Sequence, residues 1–176
     1  TVLHKDGTRS STGWMKNIVT NFGLDLLGSR SASPAAFCRV GTGTSTPAAT
    51  QTALDTQVAF TGTQSASATN EGSPNYSTRL EVTYTFPLGG VVATLAELGI
   101  GTTSSGATLF SRALILDGGG SPTTISVLAT DQLIITYRLR IFPVLTDLTS
   151  SVNLSSTSYA YVGRVATVAV AVGTSL

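Results

Sequence analysis

The chain has 176 residues, a mass of 18.0 kDa and a formal net charge of +1 at pH 7. Only 11% of its residues are charged, against about a quarter in an ordinary soluble domain, and 29 Thr and 21 Ser occupy 50 positions. A near-neutral chain with so few lysines lacks the basic surface of a nucleic-acid binder. Its longest apolar runs are far shorter than the roughly 18 residues of a membrane span. We therefore expect neither a nucleic-acid partner nor a membrane partner.

One helix is predicted, over residues 14–27 near the N-terminus. Its apolar residues recur every fourth position and would form a single stripe: Trp14, Ile18, Phe22 and Leu26. Ser11 or Thr12 could cap the start of this helix, and Gly28 could end it. Because such a stripe must be covered, we predict that its side chains contact either the body of the domain or a neighbouring subunit.

From residue 29 onward the sequence is typical of strands and turns. Residues 79–87 and 132–142 alternate most regularly between apolar and polar side chains, so each predicts an amphipathic strand. Residues 61–78 offer almost nothing to bury and predict a long exposed loop. Further strands are predicted at 36–41, 56–62, 109–117, 124–128 and within 159–172. Six to eight strands without intervening helices predict a mainly β protein, an antiparallel β-sandwich of jelly-roll type with one N-terminal helix.

The composition along the chain predicts three regions. We expect residues 1–30 to form an N-terminal arm that carries the amphipathic helix, and 31–143 to form the β-sandwich core. Residues 144–176 would then form a C-terminal β extension. This extension could pack on its own subunit or on another one.

The residue types that usually carry catalysis are scarce. The one histidine, His4, lies in a polar segment and is expected to be a solvated arm residue rather than part of a Ser-His-Asp site. The one cysteine, Cys38, is interpreted as a small buried hydrophobe, and one His with one Cys is too little for the usual zinc sites. We therefore predict no enzyme, no cofactor and no metal site.

The turns are rich in Gly and Asp but contain no recognised binding motif. The glycine-rich stretches 41–46 and 99–106 lack the helix that follows a phosphate-binding loop, and they are interpreted as ordinary turns. Asp117 and Asp131 lie at strand ends beside turns, where an Asp carboxylate commonly accepts backbone hydrogen bonds. No calcium-loop pattern supports a cation at either position.

Two arginines, Arg138 and Arg140, project from the same face of the predicted strand 132–142. Two interpretations stay open at this point. The arginines either mark a solvated sheet face, or they form an intersubunit contact in which their aliphatic stems cover apolar surface. Three tyrosines could line a sugar-binding patch, although packing is the commoner role of strand tyrosines: Tyr76, Tyr159 and Tyr161.

Several stretches resemble virion structural proteins of tailed bacteriophages. RVGTGTSTPAATQTALDTQVA at 39–59 has the form V-G-x-G-x-x-x-P-x-x-x-x-T-x-L, and TYTFPLGGVVATLAELGIG at 83–101 precedes LFSRALILDGGG and the rest of 109–143. WMKNIVTNFGL at 14–24 fits the same group. The resemblance covers roughly 14–143. Because such proteins are tail-associated or minor virion proteins, it implies assembly rather than catalysis, and it supplies no active-site residues.

Together, the low charge and the resemblance predict a structural subunit of a tailed-phage virion that assembles in symmetric copies at the tail, tail tip or neck and fibre attachment. It would contact copies of itself and other virion proteins, and it would reside in the virion after assembly in the host cytoplasm. Two alternatives stay open: a capsid decoration or head-fibre protein, and a module that binds a host-surface glycan. The residues predicted to contact other subunits are Trp14, Ile18, Phe22, Leu26, Arg138 and Arg140.

Overall fold

The computed structural model describes residues 1–29, 33–72, 76–142 and 148–163, and it divides into two compact units. Unit 1 consists of Thr1–Ser65 and Val82–Tyr137. Unit 2 consists of the described parts of Ala66–Glu81 and Arg138–Leu176. The expected boundaries near residues 30 and 143 do not coincide with this division.

Two five-stranded sheets contain most of the strands. The strands of the first sheet are β1 (Val2–Leu3), β2 (Arg9–Ser10), β6 (Gln64–Glu71), β7 (Ser77–Thr85) and β12 (Gln132–Ile141). The strands of the second sheet are β3 (Ile18–Val19), β4 (Phe37–Gly41), β5 (Gln57–Thr61), β9 (Glu97–Gly101) and β10 (Leu109–Leu114). Their orders are β2-β1-β12-β7-β6 and β3-β10-β9-β4-β5. Pairing is antiparallel, as between β4 and β9 and between β9 and β10.

Two smaller antiparallel sheets complete the architecture. One joins β8 (Ala93–Leu95) to β11 (Ile125–Val127), and the other joins β13 (Leu148–Leu154) to β14 (Thr157–Gly163). The mainly β class, with antiparallel sheets and one helix, is thus confirmed and fits a β-sandwich, whereas the jelly-roll arrangement stays a prediction. Residues 164–172 of the last predicted strand lie outside the described residues.

The core of unit 1 contains buried side chains from strands of both five-stranded sheets. Val82 and Tyr84 of β7, and Phe86 just after it, are at most 2% exposed, as predicted for the inward face of residues 79–87, whereas Leu80 on that face is half-buried. Phe110 of the second sheet is fully buried. The Tyr84 hydroxyl donates a hydrogen bond of 2.6 Å to the carbonyl of Ala35, just before β4. Apolar burial of this kind supplies the main stabilisation of such a fold.

The predicted N-terminal arm is instead part of the sheets. Val2 of β1 pairs with Leu133 of β12, and Ile18 of β3 pairs with Arg112 of β10. Residues 14–20 are therefore not helical, which corrects the first half of the predicted helix. The β-branched residues of β3 suit a strand, and their pairing with a strand far along the chain is a non-local contact that helical periodicity does not reveal.

The helix α1 (Asn21–Ser29) begins seven residues later than predicted. Its cap is Thr20, whose hydroxyl accepts a hydrogen bond of 3.0 Å from the backbone N–H of Gly23. Gly23 is required there because a Cβ at this position would collide with the carbonyl oxygen of Phe110. A residue that weakens a helix by its flexibility thus allows α1 to lie directly against β10.

Residues 62–70 are exposed, as predicted for the segment 61–78, but Thr61 and Ser77 are buried and the prediction of a loop is wrong. Residues Gln64–Glu71 form the edge strand β6, and its side chains from Gln64 to Asn70 are all exposed. A strand with both faces exposed has no hydrophobic alternation to identify it. Residues 73–75 lie outside the described residues. Within the described part of the chain, no helix is long and apolar enough to cross a bilayer.

Candidate interaction surfaces

An open groove of about 630 Å³ runs along β5 in unit 1 and is called the β5 groove here. Nine residues line it, none of them charged, and they include Leu54, Gln57, Val58, Phe60, Ser105 and Gly106. Val58 is 44% and Phe60 is 51% exposed. Because β5 is the last strand of its sheet, the groove also lies at a sheet edge. A sheet edge of this kind can accept a further strand.

The first wall of the groove is the loop 42–56, which a buried ion pair holds in place. Arg112 and Glu97 are both 0% exposed, and Arg112 Nη2 lies 2.8 Å from Glu97 Oε2. The same guanidinium reaches into the loop, where it lies 2.8 Å from Asp55 Oδ2 and donates to Gln51 Oε1 at 2.8 Å. Hydrogen bonds from Ser45, together with the Arg112 charge, hold the pKa of Asp55 below its usual value.

The side chain of Glu97 also holds this loop, through hydrogen bonds with the backbone of the loop. Its carboxylate accepts N–H bonds from Gly43 at 3.1 Å, from Asp55 at 3.2 Å and from Thr56 at 2.9 Å. A Cβ at Gly41 or Gly43 would lie 2.5 Å from Glu97 Oε1. The glycines of the stretch interpreted as an ordinary turn therefore admit a buried carboxylate, which corrects that interpretation.

The second wall is the loop 102–108, which is held by Arg39. This side chain is 0% exposed and donates to the carbonyls of Thr103 at 2.7 Å, Ser105 at 3.2 Å and Gly106 at 2.9 Å. Burial lowers the pKa of Arg39. The second glycine-rich stretch is thus a cradle of carbonyls around a cation rather than an ordinary turn.

Gln57 of β5 contacts the second wall of the groove, since its Nε2 donates a hydrogen bond of 2.8 Å to the carbonyl of Ser104. Neither Arg39 nor Arg112 is among the residues predicted from the sequence to be functional. The available signal was their position, because each stands inside a short strand of otherwise apolar or small residues, AFCRVG and LFSRAL. A charged residue in such a run is buried only with partners.

A second uncharged surface is the hairpin β13–β14. Residues 148–163 contain no Asp, Glu, Lys or Arg, and Ser155 and Ser156 form its two-residue turn with positive φ. Register places Val152 opposite Tyr159 and Ser150 opposite Tyr161. Four exposed side chains therefore share one side, called the hairpin face: Val152, Leu154, Tyr159 and Tyr161.

The four residues of the predicted helical stripe do not share one surface. Trp14 lies between β2 and β3 and is 62% exposed, whereas Ile18 belongs to β3 and is half-buried. Phe22 and Leu26 lie on α1, where Phe22 is half-buried and Leu26 is 6% exposed. Leu26 is thus already covered within its own chain.

The two arginines of β12 form ion pairs within unit 2. Arg138 pairs with Glu81, and Arg140 Nη2 lies 3.2 Å from Glu71 Oε1. Arg79 also approaches Glu71 at 3.2 Å. These side chains are 28–47% exposed, and exposed pairs contribute about 0–1 kcal/mol. Both sequence interpretations of the arginines remain compatible with these pairs.

The structure also places four further residues that were singled out in the sequence: His4, Cys38, Asp117 and Asp131. His4 is half-buried rather than solvated, with Nδ1 lying 3.2 Å from Asp131 Oδ1. Cys38 is 0% exposed, as predicted, and burial raises the pKa of its thiol. Asp117 accepts the N–H of Ser121 at 2.8 Å, and Asp131 accepts a backbone N–H at 3.0 Å, which confirms both predictions. Among the described residues, no group of three His, Cys, Asp or Glu is placed to hold a metal ion.

Comparison of the chain with protein-family models, with curated proteins and with solved structures finds no match. The resemblance to phage virion proteins therefore stays a prediction from the sequence.

Proposed function

We propose that this chain is a structural subunit of a tailed-phage virion, assembling in symmetric copies at the tail, tail tip or neck and fibre attachment. Its partners are copies of itself and other virion proteins. The observation that carries the assembly part is the hairpin face, four large side chains exposed on a hairpin with no charge in 16 residues. A two-stranded hairpin is marginally stable in water by itself, and apolar side chains with depleted charge are typical of interface centres.

The β5 groove supports the same proposal. Its two walls are fixed by buried arginines, so a partner that enters it has little loop ordering to bring about. The side chains of the buried cluster already engage each other or the backbone. Such an arrangement suits a rigid docking surface better than a site of chemical turnover.

The virion part of the proposal is supported by the resemblance, whose motifs coincide with the loop-holding network. Glu97 stands in the stretch 83–101, Arg112 stands in LFSRAL at 109–114, and Gly41 and Gly43 stand in the V-G-x-G part of 39–59. These residues hold loops in place. The motifs are thus of the kind that a common structural framework would share.

Sedimentation of the full chain over a wide concentration range tests the assembly part. We expect mass to rise with concentration, whereas a monomer at the highest concentrations would contradict a self-assembling subunit. Immuno-gold labelling of particles then tests the location. Label at the tail or neck supports the proposal, label over the capsid favours a decoration protein, and particles without label contradict a virion protein.

One observation favours a second candidate, a host-glycan binding module. Tyr159 and Tyr161 are 54% and 48% exposed on the same side of β14, and exposed aromatic rings can stack on sugar rings. Glycan-array binding that disappears in Tyr159→Ala and Tyr161→Ala would favour this candidate. Binding that is absent from the unaltered chain would exclude it.

A further inference from the structure

We propose that the β5 groove of one subunit receives the hairpin face of a second copy of this chain, so that subunits join head to tail. The inference rests on the proposed assembly function and names the two surfaces that meet. It commits to an occupant of stated chemistry, a β-hairpin that is uncharged along its whole length and carries exposed Tyr, Val and Leu side chains.

The β5 groove and the hairpin match in charge, because both are uncharged. None of the nine residues that line the groove is charged, and none of the 16 residues at 148–163 is charged. A charged occupant would leave its charge desolvated without a counter-ion in this groove, which is costly. The hairpin brings no such charge.

The hairpin and the β5 groove also both expose large apolar side chains. Of the 15 large apolar side chains that are exposed in the described residues, five lie within the hairpin and two, Val58 and Phe60, lie in the groove. Phe60 is held by an edge-to-face contact with Phe37, with ring centroids 6.2 Å apart. Preordered aromatic and aliphatic side chains of this kind are common anchors at interface centres.

The strand β5, which lines the groove, is also an edge strand of its sheet. β5 ends its sheet, so backbone groups on its outer edge are available to a partner strand. Strand addition at such an edge combines main-chain hydrogen bonds with pockets for alternate side chains. β14 presents Tyr159 and Tyr161 two residues apart on one side, which is the spacing that such pockets select.

Because the two surfaces differ, the contact is heterologous. Heterologous contacts build rings or open filaments rather than closed pairs. The 16-residue hairpin is also smaller than the 20–30 residues per side that are usual in a stable interface. Each contact is therefore weak alone, and the assembly gains from repetition around the ring or along the filament.

The test uses the full chain with one lysine introduced into each surface. Val58→Lys places a charge in the groove, and Tyr161→Lys places one on the hairpin face. The matched controls are Leu24→Lys, an exposed position on α1, and Thr149→Lys, on the opposite side of the hairpin. Circular dichroism establishes that each variant keeps its strand content.

Sedimentation equilibrium supplies the readout. We expect V58K and Y161K each to weaken self-association by at least about tenfold, while L24K and T149K change it by less than about twofold. A mixture of V58K and Y161K should form a one-to-one heterodimer and nothing larger, because each variant supplies one intact half of a single contact.

The outcomes separate the two proposals. If the unaltered chain associates and V58K or Y161K associates equally well, the groove–hairpin contact is wrong and the assembly proposal stands. If both variants dissociate but the mixture yields no heterodimer even at about 1 mM protein, where a single weak contact is still populated, the two surfaces do not meet each other, and the inference is again overturned. An unaltered chain that stays monomeric contradicts the proposed function itself.

Discussion

The two walls of the β5 groove are held by buried arginines that solve the same problem differently. Arg112 is neutralised by Glu97 and by the partly exposed Asp55. Arg39 has no carboxylate partner within the described residues and is held by loop carbonyls and the Thr108 hydroxyl. A carboxylate network fixes its loop by charge and fails when a charge is removed. A carbonyl cradle depends on the loop keeping its own shape.

The largest expected effect comes from removing the charge of Glu97. Glu97→Gln keeps the side-chain size but leaves the guanidinium of Arg112, which is fully buried, with only Asp55 as a counter-charge. Breaking a buried pair typically costs about 3–5 kcal/mol, so we expect a loss of that size in the free energy of unfolding. Urea denaturation followed by circular dichroism measures it. A loss below about 1 kcal/mol would show that the network is dispensable.

A smaller loss is expected at the other wall. Arg39→Met removes the donors that hold the carbonyls of Thr103, Ser105 and Gly106, and hydrogen bonds to charged groups contribute about 1.5–3 kcal/mol. We expect about 2–3 kcal/mol of destabilisation, because an exposed loop can recover water for its carbonyls. Amide exchange should accelerate in residues 102–108 and stay unchanged in 42–56. Equal acceleration in both loops would contradict separate control of the two walls.

The comparison also predicts different responses to acid. The folded-state pKa of Asp55 lies below its usual value of 3.8, so the stability that it contributes is present above that value and is lost as the pH falls through the folded-state pKa. Asp55→Asn should flatten the fall in unfolding free energy below pH 3.8. Arg39→Met should keep the slope of the unaltered chain, because its wall contains no carboxylate. Urea denaturation at pH 2–5 measures both slopes, and equal slopes in all three proteins would contradict the role of Asp55.

The parts of this fold that the sequence predicts are those where one periodicity decides the structure. Alternation over residues 79–87 predicts the burial of Val82, Tyr84 and Phe86 correctly, because the pattern is complete within one short stretch of the chain. The start of α1 was mispredicted because residues 18–19 pair with β10, about 90 positions further along the chain. That pairing outweighs a local helical pattern.

The candidate site was harder to predict than the fold. Glu97 and Arg112 lie 15 positions apart in separate strands, and only the pairing of β9 with β10 brings them together. Gly41 and Gly43 are needed because the Glu97 carboxylate lies directly against their backbone. The sequence shows that these two positions lack a side chain, but it does not show which residue packs against them. An arginine within an apolar strand is the one local signal that would have indicated a buried network.

The smallest expected effect tests whether burial, rather than ion pairing alone, causes the large loss of stability expected for Glu97→Gln. Arg138 and Glu81 also form a close ion pair, but their side chains are 38% and 31% exposed. Since exposed pairs contribute about 0–1 kcal/mol, Glu81→Gln should reduce the free energy of unfolding by less than about 1 kcal/mol. Salt at about 1 M should weaken this small effect, because the Debye length falls to about 3 Å and exposed charges are screened, while the cost of Glu97→Gln should persist because buried pairs are screened much less. If E81Q instead costs as much as E97Q, burial is not what distinguishes the two ion pairs.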